Sequence, residues 1–280
     1  LTDVNLVNQL IVSAYLSVNR LSAFHNRFIN EYALEKQNLP LLHVCMEIVS
    51  RNGDGQLSIE DLVHVFEFVV SPSDRVVNGS VYTPKDIRQR IIHECLDDMP
   101  AERLQTIRIA DIACGCGGFL LDVAEYLHER TGNSYAHIFH QNLFGLDIQE
   151  YSIERTKILL SLLALSQGED CEFEFNLEPY DTLEFDFKKI EPFDVVLGNP
   201  PYVCWRNLPE ETRRRMRQFE VCRCGNSDLY NPFFQVAIES LRDGGRLGYI
   251  VMNTFLTSLN GTALREYLHA RQYEIQVVDF

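Results

Sequence analysis

Long apolar runs are missing from this sequence. The longest, such as residues 158–165, fall well short of the ~20 residues that span a bilayer. No basic, then apolar, then small-residue succession opens the chain as a secretory signal does. Basic residues are scarce relative to acids: 25 Lys and Arg stand against 40 Asp and Glu, a formal net charge of −15. A chain this acidic does not by itself grip nucleic acid strongly, so any such grip has to come largely from elsewhere. A disulfide framework is lacking too. The eight cysteines are neither dense nor evenly spaced, which points to reduced thiols and a cytosolic compartment. Cys114-Gly115-Cys116 and Cys222-Arg223-Cys224 leave one residue between thiols, where a zinc knuckle wants two to four, and no metal site is expected. No serine sits at the strand–turn–helix elbow of a hydrolase. The chain opens on Leu1 rather than methionine and closes on Val277-Val278-Asp279-Phe280, so both ends read as cut from a longer protein.

What is present is ordinary globular material, 46% hydrophobic and 23% charged over 280 residues, enough for one large domain or one domain with an appendage. Residues 1 to about 75 read as a helical domain, with Leu6, Leu10, Tyr15, Leu16, Leu21 and Phe24 at helix-like spacings. Within it, residues 52–61 imitate a calcium loop, but Ser50 would be the first ligand and Asp61 would replace the closing glutamate. A glycine-rich turn followed by a helix capped at Ser58 explains the same residues. Ser71-Pro72-Ser73-Asp74 and Asn78-Gly79-Ser80 mark a boundary. Tyr82-Thr83-Pro84 then leads into a helix to about Leu96, with Thr83 as N-cap and Pro84 at the first helical position.

From residue 107 the rhythm alternates strand and helix, which implies an α/β fold with a doubly wound, mostly parallel sheet and ligands at its carboxyl edge. Expected strands cover residues 107–113, 143–147, 171–175, 193–198, 246–251 and 274–280. Helices are expected from the turn after Ala113 to about Arg130, over 153–165, from Pro209, from Asp228 to Leu241, and, after the lead-in Asn253-Thr254-Phe255-Leu256, one ending near Ala270. Asp111-Ile112-Ala113-Cys114-Gly115-Cys116-Gly117-Gly118-Phe119 is a glycine-rich turn between strand and helix, where positive φ and close ligand approach are allowed. Asp147 ends the next strand, where an acid is placed for ribose hydroxyls. Asp181 falls in the loop after the third. Taken alone, Asp147 reads equally as a helix cap and Asp181 as a turn residue.

The sharpest feature is Asp194-Val195-Val196-Leu197-Gly198-Asn199-Pro200-Pro201-Tyr202. An apolar run of this kind is a strand buried on both faces, and two prolines stop it in a stiff extended corner. The Asn199 amide, the Pro200 carbonyl and the Tyr202 ring then offer two acceptors and an aromatic face to a planar group bearing an NH2.

Together, Tyr82-Thr83-Pro84, Asp111-x-Ala113-Cys114-Gly115-x-Gly117-x-Phe119, Gly145-x-Asp147, Asn199-Pro200-Pro201-Tyr202, Asp228-Leu229-Tyr230, residues 244–250 and residues 253–256 occur in the order found in one enzyme group. Residues 79–280 resemble the N6-adenine DNA methyltransferases, more narrowly the type I modification subunits and fused type II restriction-modification enzymes. The resemblance implies a Rossmann-like class I methyltransferase domain over residues 76–280, lacking its target-recognition region, and S-adenosylmethionine as cofactor. By it, Tyr82, Thr83, Asp111, Ala113, Gly115, Gly117 and Phe119 hold the methionine part. Asp147 and Ile148 meet the ribose side, Asp181 the adenine amine, and Phe233 lines the pocket. Asn199 and Pro200, with Pro201 and Tyr202, receive a flipped adenine of duplex DNA, and Asn199 also borders the cofactor. Arg213, Arg214 and Arg217 read as a solvated helix face or as DNA-phosphate contacts. A specificity subunit, or a fused or partner nuclease, is implied, and no membrane. Rival readings are a protein glutamine or RNA methyltransferase on the same corner, or an inactive cofactor-binding scaffold.

Overall fold

A computed structural model describes residues 4–52, 57–69 and 81–279. Five parallel strands form one sheet: β1 (Ile109–Asp111), β2 (Leu143–Asp147), β3 (Leu177–Pro179), β4 (Phe193–Gly198) and β5 (Leu241–Tyr249), in the order β3-β2-β1-β4-β5. β1 lies in register with β2 through Ala110↔Phe144 and with β4 through Ala110↔Val196. The order reverses between β2 and β4 around β1, so a crevice opens at the carboxyl ends of those strands, the usual ligand position in such sheets.

The period of two along the strands sorts the core onto two faces. Ile109, Leu143, Val195 and Leu197 face one way, toward α4 (Lys85–Leu96), α5 (Gly118–Thr131) and α6 (Glu150–Ser166). Ala110, Phe144, Leu146 and Val196 face the other, toward Phe233, Val236 and Ala237 of α8 (Tyr230–Ser240), after α7 (Glu210–Met216). A third cluster joins Val203, Met216, Phe234 and Phe255 to α9 (Thr262–Ala270). The N-terminal helices α1 (Val4–Val18), α2 (Leu39–Asn52) and α3 (Ile59–Phe68) lie outside the first face. Val12, Tyr15, Leu62, Val63 and Phe66 share that face's core with the sheet-packing helices. No helix of the described residues is long and apolar enough to cross a membrane.

Several expected boundaries move for identifiable reasons. The third strand forms at Leu177–Pro179 rather than at 171–175, because Phe173 and Phe175 turn to pack on Phe139, with ring centroids 5.3 and 5.4 Å away. Leu177 then fits against Gly145, where any Cβ would lie 2.6 Å from its methyl. The first strand is confined to Ile109–Asp111. The fifth begins before residue 246: Leu241 already pairs with Phe193, and the register jumps to Val195↔Arg246. The Asp243-Gly244-Gly245 turn is thus a bulge inside the strand, with Gly244 at φ 73°. The strand expected over 274–280 is not formed among the described residues. Gln272, at φ 54°, turns the chain aside, and Ile275 and Val277 stay more than half exposed.

Helix starts also shift. Pro84, not Thr83, is the N-cap of α4, its carbonyl accepting from Ile87 and Arg88, and Pro209 likewise precedes α7. The lead-in at Asn253–Leu256 is a 3-10 turn, followed by a second at Leu259–Gly261, and α9 then ends at Ala270 as expected. The Ser58 cap forms as a capping box with Asp61, whose carboxylate accepts from the Ser58 amide at 2.8 Å. Residues 53–56 of the calcium-like stretch, the boundary loops at 71–74 and 78–80, and Phe280 lie outside the described residues.

One buried ion network joins the helical layer to the sheet domain. Arg88 is 1% exposed; its Nε donates to Asp122 of α5 at 2.8 Å, Nη2 to Glu60 of α3 at 2.7 Å, and Nη1 to the Thr83 carbonyl at 2.7 Å. Removing one partner from such a network strands the others in low dielectric. Arg88→Met is expected to lower stability by about 3–5 kcal/mol in urea unfolding, and the double variant Arg88→Met/Asp122→Leu to regain much of that loss.

Candidate active site

The corner after β4 depends first on Gly198. Its φ is +145°, and a Cβ there would sit 2.6 Å from Oδ1 of Asp111. Only a glycine lets the β4 end pass so close to the carboxylate that ends β1. The Gly198 carbonyl accepts from Ile250 at 3.2 Å. Asn199 then points its amide across to the lead-in of α4: Nδ2 donates to the Val81 carbonyl at 3.0 Å and to the Thr83 hydroxyl at 2.9 Å. A carbonyl can only accept, so the end facing Val81 must be the NH2. The Oδ1 end faces away, buried and without a hydrogen-bond partner. Orphaned buried acceptors are rare. The next acceptor along the corner, the carbonyl of Pro200, also receives no hydrogen bond from the described residues. Tyr202 is fixed rather than free: its hydroxyl donates to the Ile250 carbonyl at 2.8 Å, and its ring meets Tyr230 edge-on, centroids 6.1 Å apart.

The glycine turn lies at the other side of the crevice. Gly115 and Gly117 have φ +54° and +87°, and a Cβ on Gly117 would fall 2.6 Å from the Thr156 side chain of α6. Asp111 is 2% exposed and accepts from the Ala113 amide at 3.1 Å. Asp147, at the tip of β2, accepts from Gly115 at 3.0 Å and from Gln149 at 2.8 Å. Glu67 of α3 brings Oε1 to 3.4 Å from the Cys116 amide nitrogen. Two successive N–H groups of the turn are thus occupied by carboxylates. Burial pushes Asp111 up to about 7, helped by the Asp147 charge. Burial also pushes Asp147 up to about 6, against its two backbone hydrogen bonds, and Glu67 adds to the rise.

The remaining residues singled out from the sequence fall around this crevice or behind it. Tyr82 donates to Glu60 at 2.9 Å and lies 2.9 Å from His64 Nε2, and burial foremost pushes its hydroxyl up to about 12. Phe119 is buried at the start of α5, and Ile148 stands 61% exposed beside Asp147. Phe233 is 6% exposed, packed under the sheet with Ala110, Ile112 and Val196. Asp181 is ion-paired with Arg215 of α7, which also reaches Glu184 at 2.5 Å. In the arginine run, Arg213 donates to the carbonyls of Trp205 and Arg206, Arg213 and Arg217 flank the Trp205 ring, and Arg214 is exposed.

Sequence reasoning passed over Glu67 and Arg88 and gave no role of their own to Gly198 and Arg215. Gly198 carried a signal, a glycine directly before the proline corner. The other three depend on contacts between residues distant in the chain, which spacing does not reveal.

Among curated proteins, the type II methyltransferase M.BanIII of Aneurinibacillus aneurinilyticus is 27% identical over 212 residues, covering 72% of this chain and 35% of that protein. M.VspI of Vibrio sp. (strain 343) is 25% identical over 223 residues, 79% of this chain and 48% of that one. The chain thus spans between a third and a half of these relatives. Among solved structures, the type IIL restriction-modification enzyme MmeI in complex with DNA superposes with a TM-score of 0.65 at 15% identity, over 77% of this chain and 36% of that one. A putative class I S-adenosylmethionine-dependent methyltransferase from Listeria monocytogenes gives 0.59 at 15% identity, over 94% and 79%. These likenesses bear on the fold.

Asp111→Asn tests the site's electrostatics. A carboxyl whose folded pKa is raised toward 7 destabilises the fold once ionised, so the neutral amide should gain on wild type as pH rises through that value. The expected gain between pH 5 and pH 8 is on the order of 1–3 kcal/mol in urea unfolding.

The profile of the Eco57I restriction-modification methylases matches residues 141–280, from β2 through the Asn199 corner onward, and with half of its length matched the chain belongs to that family.

Proposed function

We propose that this chain is the catalytic part of a restriction-modification DNA methyltransferase that moves a methyl group from S-adenosylmethionine to N6 of an adenine flipped out of duplex DNA. The observation that carries the reading is the Asn199 amide. Its NH2 is committed to Val81 and Thr83, and Oδ1 is buried without a partner. An acceptor held this way fits an incoming NH2 donor.

The residues of the crevice fit the cofactor. With Gly115 N–H given to Asp147 and Cys116 N–H to Glu67, the turn has little left for a pyrophosphate, which seeks free turn amides. Three carboxylates favour a cation instead, and S-adenosylmethionine carries a sulfonium and an ammonium. When bound, it supplies an electrophilic methyl group. We assign the methionine side to Tyr82, Thr83, Asp111, Ala113, Gly115 and Gly117, supported by Phe119 in the core behind them. Asp147 and Ile148 take the ribose side, and Asp181 the adenine amine once Arg215 releases it. Phe233 stiffens the sheet beneath the site.

The amine of adenine is conjugated with its ring, and its lone pair is a poor nucleophile. Asn199 Oδ1 and the Pro200 carbonyl would accept its two N–H bonds and favour a tetrahedral nitrogen, which frees the lone pair. Pro201 holds that corner stiff. Tyr202, fixed by Ile250, offers a ring that offsets part of the stacking lost on flipping. No side-chain base is needed before transfer; the amine proton leaves afterwards to water. Arg213 and Arg217 beside Trp205, with the exposed Arg214, supply the local positive charge for DNA phosphates that the acidic chain otherwise lacks. We assign residues 1–75 to a helical domain and 76–280 to the catalytic one. The chain's partners in the cytoplasmic system would be duplex DNA and a specificity subunit or a fused or separate nuclease.

The reading is tested by incubating the protein with labelled S-adenosylmethionine and duplex DNA and identifying the methylated nucleoside. N6-methyl-2′-deoxyadenosine is expected. N4-methylcytosine, or label only on protein or RNA, would refute it. Asn199→Ala should reduce transfer at least about 100-fold at saturating cofactor. Binding the cationic cofactor should also expel protons: Asp111 and Asp147, partly protonated near pH 6 to 7 in the free chain, must ionise. Affinity should therefore rise from pH 6 to pH 8, with calorimetry in two buffers registering proton release.

A further inference from the structure

The glycine turn is closed on one side by a residue from outside the α/β layers. Glu67 lies in the last turn of α3, whose Leu62, Val63 and Phe66 are buried in the core. The backbone beside it is pinned by Arg155, whose Nη1 donates to the Phe66 carbonyl at 3.0 Å. Farther back on the same helix Glu60 is held by Arg88. Oε1 of Glu67 stands 3.4 Å from the Cys116 amide nitrogen and would stand 3.4 Å from a Cβ on Gly115. Glu67 thus approaches the turn from a third direction, beside Asp147 on β2 and Asp111 on β1. Its charge is felt there, since it helps to raise Asp147.

Of the acids at this crevice, Asp147 sits at a strand tip and Asp181 in the loop of the third strand, where the ribose and adenine are assigned. Asp111, assigned to the methionine side, is 2% exposed and turned toward the Ala113 amide and Gly198. Glu67 is the acid that reaches the far side of the turn, toward Cys116. A carboxylate there repels another carboxylate and attracts an ammonium, the one fully charged donor group in the methionine part.

We propose that Glu67 is a cofactor-binding residue supplied by the helical layer, its carboxylate receiving the α-ammonium group of the methyl donor. The inference rests on the cofactor reading above and deepens it. It makes α3 part of the site and gives the buried network around Arg88 a purpose beyond stability, because that network fixes the helix carrying Glu67.

Calorimetry with three ligands tests it: S-adenosylmethionine, S-adenosylhomocysteine and 5′-methylthioadenosine, which lacks the amino-acid portion. Glu67→Gln should weaken the first two about tenfold and leave the third within about twofold. Glu67→Asp, which keeps the charge, should recover part of the loss. Equal weakening of all three ligands would mean that Glu67 only shapes the turn, and unchanged affinity for all would overturn the inference alone. A wild-type chain that binds none of them would overturn the cofactor reading and this inference with it. If Glu67→Gln does not fold, the contrast between ligands in Glu67→Asp reads the same question. A loss confined to the ligands with an ammonium supports the proposal, and any other pattern refutes it.

Discussion

Two hydrogen bonds from one side-chain amide hold the site together. Asn199 Nδ2 gives one to the Val81 carbonyl and one to the Thr83 hydroxyl, tying the corner after β4 to the lead-in of α4 across more than a hundred residues of chain. Each bond is ordinary in strength. Together they leave the amide one orientation, and with it one exposed consequence: Oδ1 turned away and unpaired in a buried place. The rest of the structure supports that arrangement. Gly198 lets β4 end against Asp111, and Arg88 grips the Thr83 carbonyl from behind while its other nitrogens hold α3 and α5.

The second organising feature is an accumulation of negative charge that the fold tolerates at a cost. Asp111 and Asp147 are both pushed well above ordinary carboxylates, and Glu67 is set beside them. Stability alone would favour fewer acids here. In the function proposed above, acids that stay partly protonated until the cationic cofactor binds would couple binding to their ionisation, a use for such strain. On the same crevice Arg215 holds Asp181 and Glu184. The helix that follows the Asn199 corner is therefore in contact with the loop that we assign to the adenine.

Much of this was legible in the sequence where the signal is local. The β4 strand and its proline corner, β2 with Asp147 at its tip, and the glycine turn opening α5 all follow from short-range patterns and sit where those patterns put them. The errors arose where tertiary contacts outweigh propensity. Phe173 and Phe175 look like alternating strand residues but find an aromatic partner in Phe139, so the ladder starts later. Thr83 looks like an N-cap, yet its hydroxyl is used by Asn199 and the cap passes to Pro84. Ile275 and Val277 have strand character but follow a left-handed Gln272 and pair with nothing among the described residues. The contributions of Glu67, Arg88 and Arg215 come from folding distant segments together, and no spacing rule points to them.

In the mechanism proposed above, Thr83 acts on the chemistry through Asn199 by fixing the amide's orientation. A double-mutant cycle on the single-turnover rate of methyl transfer, at saturating cofactor, addresses it directly. Thr83→Val should slow transfer about 10-fold or more when Asn199 is present, the scale of one lost positioning hydrogen bond, and should have almost no effect in an Asn199→Ala background. Equal slowing by Thr83→Val in both backgrounds would show that the two residues act independently and would contradict the account.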